Sequence, residues 1–143
     1  MSTEENKGFM RRFIEAGNKQ DMGAIWESID PQCHFPGIAP LGFESTFAGY
    51  KQFLASFYTA LPDAYLDVEE MLAEGDQVWV CYTIRGTHRG PLRNIPATNK
   101  QVSYRFLAMY RLANGKIIHA DALADDLSLL RQLGALPALG ARG

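Results

Sequence analysis

Residues 101–124 read QVSYRFLAMYRLANGKIIHADALA, and this stretch decides the fold class. Aromatic and aliphatic residues are frequent in it, which is typical of β-strands. The dipeptide Asn114-Gly115 interrupts the run and is the strongest short signal for a tight turn between antiparallel strands. The sequence therefore predicts a β-hairpin whose strands span residues 101–112 and 116–124.

Two further strand-like segments precede the hairpin. They span residues 64–72 and 77–85, and residues 74–76 (EGD) between them predict a turn. A loop rich in glycine and proline is expected over residues 86–100. The four segments together predict a mostly antiparallel sheet.

Helical spacing dominates the chain before the sheet. Ser2 predicts the capped start of a first helix that stops at residues 17–18. Asp21 predicts the start of a second helix, whose apolar side runs to Ile29. That helix is expected to end at residues 30–31, because a proline disfavours helical backbone in the residue before it.

The third helix has the clearest apolar stripe. A short strand over residues 33–36 and a loop over residues 37–46 are expected to precede it, and Pro62 closes it. Its stripe falls at positions i, i+3, i+4, i+7 and i+11 and consists of Tyr50, Phe53, Leu54, Phe57 and Leu61. A fourth helix is predicted after the hairpin from Leu127, Leu130 and Leu133, with Gly134 as its C-terminal cap.

Helices that precede a run of antiparallel strands predict an α+β fold. A curved sheet that wraps over the third helix would leave a central apolar cavity between the two layers. The chain shows no internal repeat and no linker, so residues 1–143 are expected to form a single domain. Its core is expected over about residues 9–134, with a loose tail over residues 135–143.

The composition excludes several classes of protein. The charged fraction is 21%, the hydrophobic fraction is 47% and the net charge is −2, so binding to nucleic acid or to an anionic membrane is not expected. Residues 1–12 contain no apolar core of a signal peptide, and no apolar run is long enough to span a membrane. Cys33 and Cys81 match no metal or redox spacing, so a reduced, cytoplasmic protein is expected.

Cofactor motifs are also missing from the sequence. The three histidines lie at no spacing used by metal ligands, so no metal site is predicted. The sequence contains no phosphate-binding loop, dinucleotide fingerprint or nucleophile elbow. The expected chemistry therefore uses no cofactor.

Several fragments resemble one family in their residues, order and spacing. They are ALPDAYLDVEEMLAEGDQVWV (60–80), RGTHRGPLRNIPATNK (85–100), YRLANGKII (110–118) and LLRQLG (129–134). The chain resembles the SnoaL-like polyketide cyclases, which have the cone-shaped α+β barrel of the nuclear transport factor 2-like class. The resemblance covers about residues 9–134 and implies a curved, mostly antiparallel sheet wrapped around the N-terminal helices.

The resemblance also implies a reaction, an intramolecular aldol condensation without metal or cofactor. In such a reaction a carboxylate removes a proton from a carbon flanked by carbonyls, and positioning of the reacting atoms lowers the barrier by about 7–11 kcal/mol. The family's catalytic aspartate falls at Ala122 of this sequence, and a partner histidine falls at Ala108. Methyl groups cannot transfer protons, so the usual base and its partner are not carried over.

The lining of the cavity follows from the resemblance and from strand alternation. If Ala108 and Ala122 face the cavity, their alternate neighbours on the same strands face it as well. A broad, apolar and aromatic pocket suits a planar, oxygenated, hydrophobic ligand, whereas the same aromatic residues would otherwise only fill a core. The predicted substrate-binding residues are Phe35, Phe57, Tyr82, Tyr104, Phe106, Ala108, Tyr110, Ala122 and Asp125.

Asp125 and Asp126 carry a second interpretation. They immediately precede the fourth helix, where a carboxylate caps free backbone N–H groups, so one of the two is expected to be a cap. The family also tends to have an aspartate at the position of Asp125, near the mouth of the cone. Contact with a ligand therefore stays open for Asp125.

Asp121, His34 and His88 are the candidate catalytic residues. Alternation points Asp121 to the outer face together with His119, but a bulge in the last strand would turn Asp121 into the cavity. An imidazole titrates near neutral pH, so His34 at the end of a short strand is a second candidate base, unless it is only a surface or core residue. His88 falls on the inner face if its strand continues past residue 86.

The sequence thus predicts a cofactor-independent SnoaL-like polyketide cyclase, or a related proton-transfer enzyme, that acts on a hydrophobic polyketide-like molecule. A diverged enzyme with another reaction, such as hydroxylation or isomerisation, and a non-catalytic binding module are the alternatives. Arg85, Arg89 and Arg93 near the long loop are expected in solvent. The mixed character of the predicted outer face of residues 79–83, together with the resemblance, predicts a homodimer.

Overall fold

The computed structural model describes residues 2–136, which form helices, five strands and a short 3₁₀ helix. The helices are α1 (Thr3–Asn18), α2 (Met22–Glu27), α3 (Phe47–Ala60) and α4 (Asp126–Gln132), and the 3₁₀ helix is Pro36–Leu41. The strands are β1 (Ile29–His34), β2 (Tyr65–Glu74), β3 (Gln77–Thr87), β4 (Gln101–Ala113) and β5 (Lys116–Ala124).

The strands form one curved sheet in the order β1-β5-β4-β3-β2. All neighbouring strands are antiparallel except β1, which runs parallel to β5. The sheet is open, with β1 and β2 as its edges, and α1 packs against β2 and β3 while α3 packs against β1. The structure confirms the predicted α+β class with a curved, mostly antiparallel sheet over N-terminal helices.

Side-chain caps fix where the helices begin. Ser2 and Glu5 form a reciprocal capping box at the start of α1, and Asp21 accepts the backbone N–H of Ala24 in α2. Thr46 accepts the N–H of Gly49 at 3.1 Å and so starts α3. The predicted caps of the first two helices are therefore confirmed.

The first strand differs from its predicted place. Ile29 and residues 30–31, expected at the end of α2, belong instead to β1, whereas the predicted strand covered residues 33–36. β1 is an edge strand and its pairing with β5 is irregular between Ile29 and His34. An edge strand tolerates Pro31, because proline lacks a backbone N–H and an edge strand does not need every N–H for hydrogen bonds to a neighbouring strand.

Two other segments also differ from the expected loops. The expected loop over residues 37–46 contains most of the 3₁₀ helix. The long loop after β3 is shorter than predicted, because β3 extends to Thr87. The structure describes only the start of the expected tail, and residues 137–143 lie outside the described residues. The single-domain boundary at residues 1–143 stays a prediction.

The loop after β3 is tied to the end of α3. The backbone N–H groups of Arg89 and Gly90 donate to the carbonyl oxygen of Ala60 at 2.9 and 3.3 Å. Thr87 donates its N–H and its hydroxyl to the carboxylate of Asp63, both at 2.7 Å, and these bonds lower the pKa of Asp63. This anchor fixes the base of a loop that leads to the functional site described below.

Gly90→Ala tests this anchor. A Cβ at Gly90 would lie 2.5 Å from the carbonyl oxygen of Thr59, closer than real contacts allow. We expect the free energy of unfolding to fall by about 2 kcal/mol, as in other overpacked sites, when measured by urea denaturation. Gly23→Ala is the control, because its Cβ would meet its nearest neighbour at 3.7 Å within α2, and it should stabilise the protein slightly. Equal stability of the two variants would contradict the anchor.

Candidate functional site

A cavity of about 260 Å³ lies between the inner face of the sheet, α1, α3 and the 3₁₀ helix. Its helical side is lined by Phe13, Ile14, Gly17, Tyr50, Phe53, Leu54, Phe57 and Tyr58, with Phe35, Gly37, Ile38, Pro40 and Leu41 from the 3₁₀ region. Most of these side chains are apolar or aromatic, as expected for a pocket that binds a hydrophobic small molecule.

The β4–β5 hairpin supplies the floor of the cavity. Tyr104, Phe106, Ala108 and Tyr110 of β4 line it, and their partners across the ladder include Ala120, Ala122 and Ala124 of β5. Ala108 pairs directly with Ala122. Two methyl groups therefore meet where larger side chains would otherwise fill the volume.

A bulge in β5 determines which of its residues face inward. Arg111 pairs with His119 and Leu112 with Ile117, so Ile118 is an extra residue in the ladder. The bulge lies before His119, and beyond it Ala120 and Ala122 face the cavity. The last strand therefore contains a bulge, but this bulge does not exchange Asp121 for Ala122 on the inner face.

Aromatic rings form the wall opposite the sheet. Phe35 and Tyr50 stack face to face, with ring centroids 4.2 Å apart and planes 6° from parallel. Phe53 lies over Tyr50, and Phe57 lies over Phe53 along the same helix. Burial raises the pKa of Tyr50, so its phenol stays neutral at the cavity wall. Phe35 and Phe57 both line the cavity, at the positions assigned to them from the sequence.

Tyr82 and Tyr110 form a hydroxyl pair deep in the cavity, with their oxygens 2.8 Å apart. Tyr82 is fully buried, whereas Tyr110 is partly accessible from the cavity. Burial raises the pKa of Tyr82 well above its usual value, and it raises the pKa of Tyr110 to about 12 against the lowering effect of this hydrogen bond. Either hydroxyl can be the donor of this bond, and when Tyr82 donates, the O–H of Tyr110 is free for a ligand.

Asp121 lies at the rim of the cavity. β1 pairs with β5 only as far as His34 with His119, so the edge of β5 beyond that point has no strand partner. The Asp121 side chain turns along this free edge, where Oδ1 accepts the N–H of Ala122 at 2.8 Å. The same oxygen would lie 3.0 Å from a Cβ on Gly37, so no residue larger than glycine fits there without displacing it. Among the hydrogen bonds of residues 2–136, only Oδ1 is engaged, and Oδ2 remains available.

Within residues 2–136, which the structure describes, neither of the two candidate histidines lines the cavity. His34 is exposed, and its ring lies 5.6 Å from that of His119. His88 is buried, and its Nδ1 lies 2.9 Å from the Thr98 hydroxyl and accepts the Thr98 N–H at 3.2 Å. His88 therefore holds the two ends of the long loop together.

One end of the cavity carries an ion pair. Arg93 Nη2 donates to Asp126 Oδ1 at 2.9 Å, and both residues line the cavity beside Tyr104. Burial raises the pKa of Tyr104 to about 12. The positive charge of Arg93 lowers this pKa, and the negative charge of Asp126 raises it. Of the three arginines expected in solvent, Arg93 is the exception, since only 23% of its side chain is accessible.

Asp125 was predicted either to cap α4 or to contact a ligand, and it is not among the cavity-lining residues described within residues 2–136. Asp125 Oδ1 accepts the N–H of Ser128 at 3.1 Å, so Asp125 is the cap of α4 and one of the two expected roles is confirmed. Asp126, the next residue, faces the cavity and the guanidinium of Arg93. The sequence contained one indication of a separate role for Asp126. A single residue caps a helix start, so one of two adjacent carboxylates is left for another contact.

Comparison with known proteins identifies the family to which this chain belongs. The family model for SnoaL-like polyketide cyclases matches residues 7–133. The chain belongs to the SnoaL-like polyketide cyclase family. The aklanonic acid methyl ester cyclase DnrD of Streptomyces peucetius is 29% identical to it over 138 residues, which are 94% of this chain and 92% of DnrD. The predicted family is therefore confirmed.

Solved structures of similar proteins have the same fold. AclR from Streptomyces galilaeus, a candidate hydroxylase, superposes with a TM-score of 0.86 at 26% identity and covers 95% of this chain and 100% of AclR. IdmH from Streptomyces antibioticus, a candidate polyketide cyclase, gives a TM-score of 0.77 at 26% identity over 90% of this chain and 98% of IdmH. A candidate hydroxylase and a candidate polyketide cyclase thus share the fold of this chain.

Two further properties of this SnoaL-like chain concern residues 2–136. The structure brings together no group of three or more His, Cys, Asp or Glu side chains that could hold a metal ion within this range. Of the helices in the same range, none combines the length and the apolar character needed to cross a membrane.

The tyrosine pair predicts a loss of stability at high pH. Folding raises the pKa of Tyr110 from 10.0 to about 12, so the folded state keeps a proton that the unfolded state loses. The free energy of unfolding should therefore hold up to pH 9 and fall as the pH rises from about 10 through about 12. Urea denaturation of a Tyr82→Phe, Tyr110→Phe double variant should show a smaller fall.

Single and double substitutions separate the pair from its surroundings. Tyr110→Phe alone leaves the buried Tyr82 hydroxyl unpaired and should cost about 1–3 kcal/mol at pH 8, whereas the double variant should be close to neutral. Tyr65→Phe removes an exposed tyrosine hydroxyl and is the matched control. An alkaline loss of stability that is identical in the wild type and the double variant would contradict the assignment.

Proposed function

We propose that the chain is a cofactor-independent cyclase, or a related proton-transfer enzyme, that acts on a hydrophobic polyketide-like molecule. The observation that carries the proposal is an aromatic cavity of about 260 Å³ with a carboxylate at its rim and a pair of tyrosine hydroxyls at its inner end. Membership of the SnoaL-like family supports the general class of reaction.

The shape of the cavity favours a flat ligand. The stacked rings of Phe35 and Tyr50 face the floor that Phe106 and the alanines of β5 provide. A planar molecule inserted between these layers would bury both of its faces against apolar surface. Ala108 and Ala122 leave space for it at the centre of the floor.

Asp121 is the proposed base. Its Oδ1 is held by the N–H of Ala122 and packed against Gly37, so the carboxylate has a fixed orientation. Its Oδ2 is available to remove a proton from a carbon between two carbonyl groups. Asp121 is adjacent in sequence to Ala122, the position at which the family resemblance places an aspartate.

Tyr110 is the proposed electrophilic group. Its O–H would donate to the carbonyl oxygen that the new carbanion attacks while Tyr82 donates to Tyr110, and the second bond would strengthen the first. Tyr110 pairs with Ala120 and Asp121 pairs with Met109, so the two proposed groups come from consecutive ladder positions, one at the inner end of the cavity and one at its rim.

The proposed step is a balanced isomerisation. A C–H bond breaks and its proton passes to Asp121, while the carbanion forms a C–C bond with the carbonyl carbon. The carbonyl oxygen becomes an alkoxide that Tyr110 stabilises and protonates, and the proton on Asp121 returns to Tyr110 through the product or solvent. His34 and His88 take no part in this step, because they lie outside the cavity lining formed by residues 2–136.

A second candidate function is another ring reaction, such as hydroxylation. The methyl groups of Ala108 and Ala122 favour it, since the site lacks the base and partner that the family resemblance assigns to these positions. The likeness to AclR, a candidate hydroxylase that is 26% identical, points in the same direction. Uptake of dioxygen during turnover of a ligand would favour hydroxylation over ring closure.

Asp121→Asn tests the proposed base. The probe is methyl 3-(2-naphthyl)-3-oxopropanoate, and the measurement is the NMR rate at which its methylene protons exchange in deuterated buffer. We expect exchange with the wild type to be faster than exchange in buffer alone. In Asp121→Asn the part of the rate that the enzyme contributes should fall by a factor of about 10²–10⁴. Asp67→Asn removes an exposed carboxylate outside the cavity and is the control. Exchange that is equally fast in Asp121→Asn would refute the assignment.

We also propose that the outer face of the sheet forms a homodimer. Leu72, Trp79, Leu107 and Leu123 are between 46% and 79% exposed and lie on neighbouring strands of this face. Leu72 pairs with Trp79, and Leu107 pairs with Leu123. Trp79 also pairs with Met109, two residues from Leu107 on the same face of β4, so apolar side chains follow one another across the four strands. Exposed patches of this kind mark interaction sites.

The charges beside this patch favour a second copy of the same chain. The surface carries both signs in the pairs Arg105–Glu69 and Arg85–Asp67. A two-fold interface needs such a self-complementary surface.

Leu107→Glu tests the proposed dimer. A carboxylate on this apolar patch would be buried without a partner, so we expect the variant to sediment as a monomer at a concentration where the wild type is a dimer. Analytical ultracentrifugation gives both masses. Lys7→Glu on α1 changes the charge of the surface away from the sheet and is the control. A wild type that remains monomeric at high concentration would rule the dimer out.

A further inference from the structure

The end of the cavity beside α4 holds polar groups that the proposed reaction does not use. Arg93, Tyr104 and Asp126 line this end, and Arg93 Nη2 donates to Asp126 Oδ1 at 2.9 Å. The ion pair is partly buried, since 23% of the Arg93 side chain and 44% of the Asp126 side chain are accessible. The arrangement brings a compensated positive charge to the cavity surface.

A strained turn places Arg93 there. Leu92 and Ile95 exchange backbone hydrogen bonds of 3.0 and 2.9 Å around a two-residue turn. Arg93 and Asn94, the central residues, have φ of 51° and 64°, as in a type I′ turn. Asparagine tolerates this left-handed backbone, whereas arginine is rarely found in it. Turn chemistry therefore does not favour an arginine at this position, whereas the ion pair with Asp126 and the contact with the cavity give its side chain a place there.

The guanidinium has hydrogen-bonding capacity left over. Among residues 2–136 its hydrogen bonds involve only Nη2, and Nε is buried without a partner. An arginine has five N–H donors, so most of them are free of protein acceptors here. The terminal nitrogens belong to a side chain that lines the cavity and keeps part of its surface accessible. A ligand in the cavity can approach them directly.

We propose that Arg93 donates a hydrogen bond to a neutral carbonyl oxygen of the ligand and so selects a ketone or ester over a carboxylate. The selection comes from Asp126, which already compensates the charge of Arg93 and would repel a second carboxylate nearby. Tyr104 lies at the same end and provides the apolar contact beside the carbonyl. This inference rests on the proposed function, because it requires the ligand to occupy the cavity.

Three probes of nearly equal shape test the selection. They are 2-acetylnaphthalene, which carries a neutral carbonyl, 2-isopropenylnaphthalene, in which a CH₂ group replaces that oxygen, and 2-naphthoate, which carries a carboxylate. Equilibrium dialysis gives the dissociation constant of each probe. We expect the full-length wild type to bind the ketone about five- to tenfold more tightly than each of the other two, the factor that one hydrogen bond supplies.

Two variants locate the preference. Arg93→Asn keeps a residue suited to the turn and removes the guanidinium, so the ketone and the alkene should then bind equally. Asp126→Asn leaves the charge of Arg93 uncompensated, so 2-naphthoate should gain about tenfold relative to the ketone. Arg89→Asn on the same loop is the control, because Arg89 is exposed and does not line the cavity described by residues 2–136, and it should keep the wild-type ratios.

The ratios of the dissociation constants distinguish a failure of this inference from a failure of the proposed function on which it rests. A purely structural ion pair would change stability in Arg93→Asn but leave the ratio of ketone to alkene unchanged, and that result would overturn the inference. Tighter binding of 2-naphthoate than of the ketone by the wild type would overturn it as well. Failure of all three probes to bind would instead refute the hydrophobic ligand of the proposed function, and the inference with it.

Discussion

The extra residue Ile118 in β5 is the constraint on which the site depends. Strict alternation from Ile117, which is buried and lines the cavity, would turn His119 and Asp121 inward. The bulge reverses this phase, so Ala120 and Ala122 face the cavity. The centre of the floor is therefore built of methyl groups, which leave the volume above them open.

Because the centre of the floor has no polar groups, the polar groups of the cavity lie at its borders. Tyr110 provides a hydroxyl at the inner end, Asp121 provides a carboxylate where β1 leaves the edge of β5, and Arg93 provides donors beside α4. Each group is held by another part of the fold, namely Tyr82, the backbone of Ala122 and Asp126. A ligand that reaches all three must extend along the cavity, which suits a molecule with several oxygens spaced along a flat apolar frame.

The sequence predicted the parts of the structure whose signals are local and periodic. The Asn114-Gly115 turn, the alternation along β4 and the apolar stripe of α3 each depend on neighbouring residues, so they were readable. β1 was misplaced because Pro31 indicates a break, while a sheet edge tolerates it. The position of Ile118 and the turn at Arg93 were hidden, because a bulge and a strained turn are stabilised by distant contacts rather than by their own residues.

The open volume also bears on stability. A cavity of about 260 Å³ at the centre of the fold forgoes contacts that larger side chains would make, and such contacts are a substantial part of the stability of an ordinary domain. Larger side chains at Ala108 or Ala122 would recover some of that energy, yet both positions carry the smallest side chain with a Cβ. The fold gains stability elsewhere. Leu129 and Leu133 of the C-terminal region are buried together with Val102 of β4, and side chains cap the ends of the helices. Arg93 has a positive φ at the wall of this cavity, and Gln20, which does not line the cavity within residues 2–136, has one as well. The physical reasons to regard the cavity as the working site are therefore its open volume, its aromatic walls and the polar groups at its borders.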